Sequence, residues 1–221
     1  MIDLDGFVDS TIEKIAEEPP VFPIKDLGLH PIGRRKPLSK KKLEVGDILL
    51  STTDAAISEA IRKVTGSTVS HAAVYVGGSQ VVESAGEVVT KTPLSKATRG
   101  DSFVAVYRMP KLTQKHKETI KKYLEEQVTQ KKPYDRSALA KGYARVVVCK
   151  LLHVDSYDAC MMDGVYSRPP VDAHKAFTCS ELVFTAYQQA GKPLGKMAPE
   201  ASAPQSIVEL NGTLHYVGHL Q

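Results

Sequence analysis

AFTCSELVFTAYQQAG, residues Ala176 to Gly191, combines a start signal, an apolar face and a stop signal in one short stretch. Thr178 and Glu181 have the spacing of a capping box, a hydroxyl three residues before a carboxylate. That spacing predicts a helix with Thr178 as its N-cap and Cys179 in its first turn. Gly191 is placed to close it from the C′ position. Leu182, Val183, Ala186 and Ala190 share a face with Cys179, so the thiol is expected to point into the body of the protein. The first turn of a helix carries unpaired N–H groups and the positive dipole end. Both favour thiolate over thiol, and thiolate is the nucleophile. A small buried hydrophobe is the other reading of the same cysteine.

A thiolate nucleophile needs a base, and the chain holds seven histidines. His71 stands in TVSHAAVYVGGSQVVES, which reads as a β-hairpin with Val69, His71, Ala73 and Tyr75 on one side of its first strand. A loop of Gly77, Gly78 and Ser79 pairs Glu83 with Ala73 and sets it diagonal to His71, on the same face. A loop one residue longer would turn Glu83 to the other face. A carboxylate beside imidazole fixes the tautomer and steadies the cation. A structural histidine is the alternative reading.

The rest of the chain sets bounds. It has 221 residues, 42% hydrophobic and 24% charged, which suits one good core. No apolar run is long enough to cross a bilayer. The start, MIDLDGFVDS, carries acid where a secretory leader carries Lys or Arg, so synthesis in the cytoplasm without a signal peptide is expected. The net charge is +4. It gathers in RRKPLSKKK (Arg34 to Lys42) and between Lys115 and Lys132. Neither stretch carries interleaved aromatics or a nucleic-acid motif, so both read as solvated faces with mild attraction to an anionic polymer, and no nucleic-acid partner is expected. The three cysteines, Cys149, Cys160 and Cys179, make no disulfide framework.

Along the chain the patterns predict a short helix over Thr11 to Glu18, a strand at ILLS after the Val45-Gly46-Asp47 turn, and a helix over Ala55 to Val64. Strands follow over Val69 to Val76, Gln80 to Ser84, Glu87 to Lys91 and Phe103 to Arg108. Helices are expected over Thr113 to Gln130 and Ser137 to Leu152, a loop from Val154 to Lys175, and a last strand near Thr213 to Val217. Helices with a meandering antiparallel sheet make an α+β domain.

FTCSELVFTAY resembles the nucleophile helix of the NlpC family of papain-like cysteine peptidases. KKPYDRSAL (Lys131 to Leu139) is similar to its Pro-Tyr segment, and APQSIVE (Ala203 to Glu209) sits where that family has a short helix. Here GDILLS and VSHAAVYVGG precede the cysteine. That order resembles the circularly permuted, YiiX/YaeF-like branch, related to lecithin–retinol acyltransferase-like proteins. The resemblance implies a permuted papain-like α+β fold with its sheet packed against the nucleophile helix. It implies a catalytic domain over 43–221 with an insertion around 146–175, and leaves 1–42 as an N-terminal extension covering the core.

Carried over by residue, the resemblance makes Cys179 the nucleophile, His71 the general base and Glu83 the third member. Tyr134 would help polarise the scissile carbonyl, and the N–H of Cys179 would supply an oxyanion donor. It implies no metal and no cofactor. The insertion departs from the family pattern. It holds Cys149, His153, Cys160 and His174; Cys149 and His153 are an i, i+4 pair able to hold a metal, and Cys149 could instead pair with Cys160 outside the cytosol.

The implied activity is cysteine-dependent amidase or endopeptidase action on peptidoglycan stem peptides. A wall hydrolase without a leader resembles an antibacterial effector delivered by type VI secretion into the periplasm of a target cell, with an immunity protein and a secretion carrier as partners. A lipid acyl hydrolase or acyltransferase, and a non-catalytic binding module, are the alternatives.

Overall fold

The computed structural model describes residues 4–22, 37–100, 103–162, 175–210 and 212–220. In chain order the elements are α1 (Leu4–Glu17), β1 (Pro37–Leu38), β2 (Ile48–Thr52), α2 (Ala56–Thr65), β3 (His71–Gly77), β4 (Gln80–Ala85), β5 (Val88–Pro93), α3 (Leu94–Ala97) and β6 (Phe103–Arg108). Then come α4 (Gln114–Thr129), α5 (Ser137–Leu151), α6 (Tyr157–Met162), α7 (Cys179–Gln189), α8 (Pro204–Val208) and β7 (His215–Leu220). The seven strands form one sheet in the order β1-β7-β6-β2-β3-β4-β5. Every neighbouring pair is antiparallel except β1 with β7.

Alternation along the strands sorts side chains onto two buried faces. Ile48, Leu50, Val74, Val82 and Ala105 face α7 and α4 in the main core. Leu49, Ala73, Tyr75, Val81 and Val106 face the other way, under Leu38 and Leu94. Residues 179 to 187 of α7 are all buried, which suits a helix wedged between the sheet and its neighbours rather than lying on a surface. A third apolar cluster joins α1, α2, α5 and α6 through Ile12, Ile15, Val64, Val146 and Met161.

The β3–β4 turn explains why the expected register holds. Gly78 and Ser79 both have positive φ (59° and 58°), as a two-residue type I′ turn requires. Gly77 pairs with Gln80, and the register shifts between Tyr75 and Gly77. The irregularity absorbs one residue, so Ala73 still pairs with Glu83.

Three local expectations change. Strand β3 starts at His71, and Val69 lies in the main core with Ala72 and Val74 rather than on the His71 side. The turn before it, where the Val69 N–H donates to Ser67 Oγ at 2.9 Å, breaks the alternation. Helix α1 begins at Leu4, ahead of the expected Thr11. Within 146–175, Val146 to Leu151 complete α5, and Tyr157–Met162 form α6 where a loop was expected. Tyr157, Cys160 and Met161 are buried there, and Cys149 and Cys160 are joined as a disulfide. That cross-link spans 11 residues and, in the chain-entropy picture, stabilises by about 3 kcal/mol. It also removes Cys149 as a metal ligand. His174 lies outside the described residues.

Candidate active site

Cys179 is where the sequence placed it, at the first position of α7. The Thr178 hydroxyl accepts from the Glu181 N–H at 3.2 Å, and the Thr178 N–H donates to Glu181 Oε2 at 3.3 Å. Ser180 Oγ donates to the Ser202 carbonyl at 2.8 Å and ties this turn to the segment ahead of α8. The Cys179 side chain is 4% exposed, and its Sγ is 4.0 Å from the Ser70 carbonyl oxygen. The thiol therefore meets the chain immediately before His71.

His71 opens β3. Its Nε2 is 2.9 Å from Glu83 Oε2, across the strand pair and on the diagonal the register dictates. With Nε2 held by the carboxylate, Nδ1 is the nitrogen left for the thiol. The ring keeps 24% exposure and Glu83 only 9%. Burial by itself would lower the basicity of His71. Hydrogen bonding to Cys179 and to Glu83, with their negative charges, outweighs it and pushes the pKa up to about 10. Burial would raise Glu83, but the His71 hydrogen bond and charge, with help from Thr92 and Lys96, hold it below the usual carboxylate range.

Tyr134 arrives from the other side. Its N–H donates to the Glu87 carbonyl at 2.8 Å, and it forms a β-bridge with Phe177. Phe177 donates its N–H to the Pro133 carbonyl at 2.9 Å, while its own carbonyl accepts from Ser84 Oγ at 2.7 Å. This short ladder aligns Tyr134 beside the residues leading into α7. Burial raises the Tyr134 phenol, and the negative charge of Cys179 raises it further.

Two clefts meet at Cys179. One, of about 540 Å³, is lined by His71, Glu83, Ser70, Thr53, Arg99 and Arg136. The other, of about 220 Å³, is lined by Ile61, Val64, Leu139 and Met161 together with Asp135, Lys141 and Glu200. Tyr134 and Cys179 border both. Thus the structure brings all four residues singled out in the sequence to one place. Sequence reasoning missed a knot of buried hydroxyls behind His71. Ser58 Oγ lies 2.6 Å from Ser70 Oγ and 3.2 Å from Thr52 Oγ1, and it accepts from the Thr53 N–H at 3.2 Å. Its members come from α2, β2 and the residue before β3, so no local pattern marks them. Among the described residues no group of three or more His, Cys, Asp or Glu is arranged to hold a metal.

A family model described as a permuted papain-like amidase enzyme, YaeF/YiiX, C92 family, matches residues 42–167. The match takes in His71, Glu83 and Tyr134 and ends before Cys179. A probable lipoprotein peptidase, YaeF, of Escherichia coli (strain K12) is 24% identical over 204 residues, covering 84% of this chain and 74% of its own length. The crystal structure of the metalloprotein yiiX from Escherichia coli O157:H7 superposes with a TM-score of 0.55 at 18% identity, over 79% of this chain and 96% of that one. At that identity the likeness speaks for the fold.

Proposed function

The chain belongs to the permuted papain-like amidase family, and we propose that it is an amidase or endopeptidase in which Cys179, His71 and Glu83 act as nucleophile, general acid–base and orienting carboxylate. The observation that carries this reading is the line of contacts from Glu83 through His71 to the Cys179 thiol at a helix start. The thiolate attacks an amide carbonyl. The N–H of Cys179, which has no intrahelical acceptor at the first helical position, and Tyr134 are placed to stabilise the oxyanion. Imidazolium gives its proton to the departing amine, and water attacks the thioester with His71 as base.

For the substrate we propose peptidoglycan stem peptides. Their amide bonds suit this chemistry, and the larger cleft carries Arg99, with Arg136 paired to Asp9 on the same wall, as cations for a carboxylate-bearing peptide. Work in the periplasm of a target cell fits the Cys149–Cys160 disulfide, which persists in oxidising compartments. Delivery as an antibacterial effector, with an immunity protein in the producing cell, completes the proposal. In a second reading an acyl chain lies in the smaller cleft along Ile61, Val64, Leu139 and Met161, and the enzyme hydrolyses lipid esters or amides. Incubation with purified peptidoglycan and, separately, with phospholipid vesicles, each followed by mass spectrometry, tests them. New stem-peptide fragments are expected. Release of fatty acid with intact peptides would overturn the first reading and support the second.

The charge state of His71 predicts a pH profile. Its pKa is raised, so the imidazolium is fully present below the ordinary value of about 6.5 and is lost as pH climbs through about 10. The Glu83 carboxylate, shifted downward, persists until pH falls below its usual range. The alkaline limb of kcat/KM is therefore expected near pH 10. Glu83→Gln should move it toward neutrality, because the carboxylate is one source of the upward shift. A native limb near pH 6.5, or one that Glu83→Gln leaves in place, would contradict this assignment.

A further inference from the structure

Helix α5 leaves an apolar surface at its C-terminal end. Val147 (37%), Val148 (54%), Leu151 (75%) and Leu152 (70%) are exposed there, four of the five exposed large hydrophobic residues among those described. They form two i, i+4 pairs side by side, Val147 with Leu151 and Val148 with Leu152, and Ala144 extends the stripe by a turn. The opposite side of the helix carries Val146 and Leu139 against the third apolar cluster, so the stripe is not the core face turned outward. Leucines exposed to this degree in a contiguous group mark a surface that another apolar phase covers.

The charge around the stripe indicates which phase. From Arg136 to Val154 the sequence has no Asp or Glu, while it has Arg136, Lys141, Arg145 and Lys150. Arg136 is paired with Asp9, and Arg145 donates to the Cys160 carbonyl, at 2.8 Å from Nη2. Lys141 and Lys150 are exposed and flank the stripe, with the exposed His153 beyond its end. Lys150 Nζ sits 5.7 Å from the centre of the Phe22 ring. An aliphatic stripe bordered by lysines, with no carboxylate along the helix, matches the headgroup–acyl boundary of an anionic bilayer. At 15 residues the helix is too short to span one.

We propose that the C-terminal half of α5 docks on an anionic lipid surface, with Val147, Val148, Leu151 and Leu152 in the acyl boundary and Lys150 and Lys141 at the phosphates. The disulfide from Cys149 to Cys160 braces this helix end, so the stripe is presented on a fixed element. The other half of α5 contributes Ala138, Leu139, Lys141 and Gly142 to the smaller cleft at Cys179. Docking therefore holds that cleft beside the bilayer. The proposal stands apart from the choice of substrate.

Flotation of the full chain with phosphatidylcholine vesicles, with and without phosphatidylglycerol, tests it. Binding is expected only when phosphatidylglycerol is present, and it should weaken in high salt. The double variant Leu151→Ser, Leu152→Ser should bind at least about tenfold more weakly, because both side chains leave the acyl boundary. Lys150→Gln should bind about fivefold more weakly. Thermal melting of the double leucine variant should match that of the native chain, since those side chains are solvent-facing. Failure of the native chain to float, equal flotation with pure phosphatidylcholine, or flotation untouched by the double leucine variant would overturn the proposal. So would a concentration-dependent dimer in sedimentation that the same variant abolishes, because the stripe would then belong to a second copy.

Discussion

Cys179→Ala is expected to reduce turnover of amide substrates by on the order of 10³-fold or more while leaving the fold in place. The two halves of that statement have separate causes. Alanine keeps the helix start, because the cap is made by Thr178 and Glu181 and not by the thiol. What disappears is one sulfur atom at a site that is 4% exposed, a small loss of packing in a helix held by eight other buried residues. Chemically, what is lost is the thiol proposed to form the acyl-enzyme. His71→Ala should lose a similar factor, and the double variant should be little worse than either single one, since the pair acts as a unit. Glu83→Gln should be milder. Initial rates beside thermal melts would check this. Activity within tenfold of native in Cys179→Ala, with an unchanged melt, would remove the thiol from the mechanism. Directed to the periplasm of a sensitive host, native chain should be toxic and Cys179→Ala should not.

The largest effect on stability is expected far from the thiol. Asp47 is fully buried, and its carboxylate accepts from Arg108 Nε at 2.6 Å and from Nη2 at 2.7 Å, a bidentate pair. It also accepts the Glu44 N–H at 2.8 Å. Arg108 makes a further bond to the Lys42 carbonyl at 2.9 Å and pairs with Glu44. The pair fastens the turn before β2 to the end of β6, and the neighbouring Gly46 carbonyl accepts from the Tyr187 hydroxyl of α7. Arg108→Met leaves the buried carboxylate without its cation. Breaking a buried pair from one side typically costs 3–5 kcal/mol; because the Arg108 side chain is 26% exposed and water can reach the gap, about 3 kcal/mol is expected here. Replacing both members, Asp47→Asn with Arg108→Met, should cost less than the sum of the single changes. Urea unfolding curves would measure both. A loss under about 1 kcal/mol for Arg108→Met would mean that the pair contributes little, as surface pairs do.

Which parts of this protein could be read without coordinates follows from the range of the forces involved. The start of α7 was legible because a capping box closes within four residues, and Thr178 with Glu181 states it directly. The Glu83–His71 diagonal was legible because strand alternation and a short Gly-rich turn leave few registers. Even so, a two-residue turn plus a bulge stands where a three-residue loop was expected, and the two have the same effect on pairing. The limit was sharp at Val69, where alternation was extended two residues past the true start of β3 and placed the side chain on the wrong face.

Tertiary structure alone decided the rest, because the partners are distant in the chain and chemically ordinary. An aspartate after Gly46 and an arginine ending β6 carry no mark that they will pair across the fold. The same holds for Ser58 and Ser70, for the Tyr134–Phe177 bridge, and for the choice of Cys149 between a metal and Cys160. Helix α6 lies in a stretch with no clean period, and its shape comes from burying Tyr157 and Met161 and from the disulfide. Thus the sequence by itself determined the local frame of each candidate site residue, through caps, turns and alternation. Only packing determined that His71, Glu83, Tyr134 and Cys179 share one junction, because that meeting depends on burying apolar faces that local periodicity identifies but cannot assign to one another.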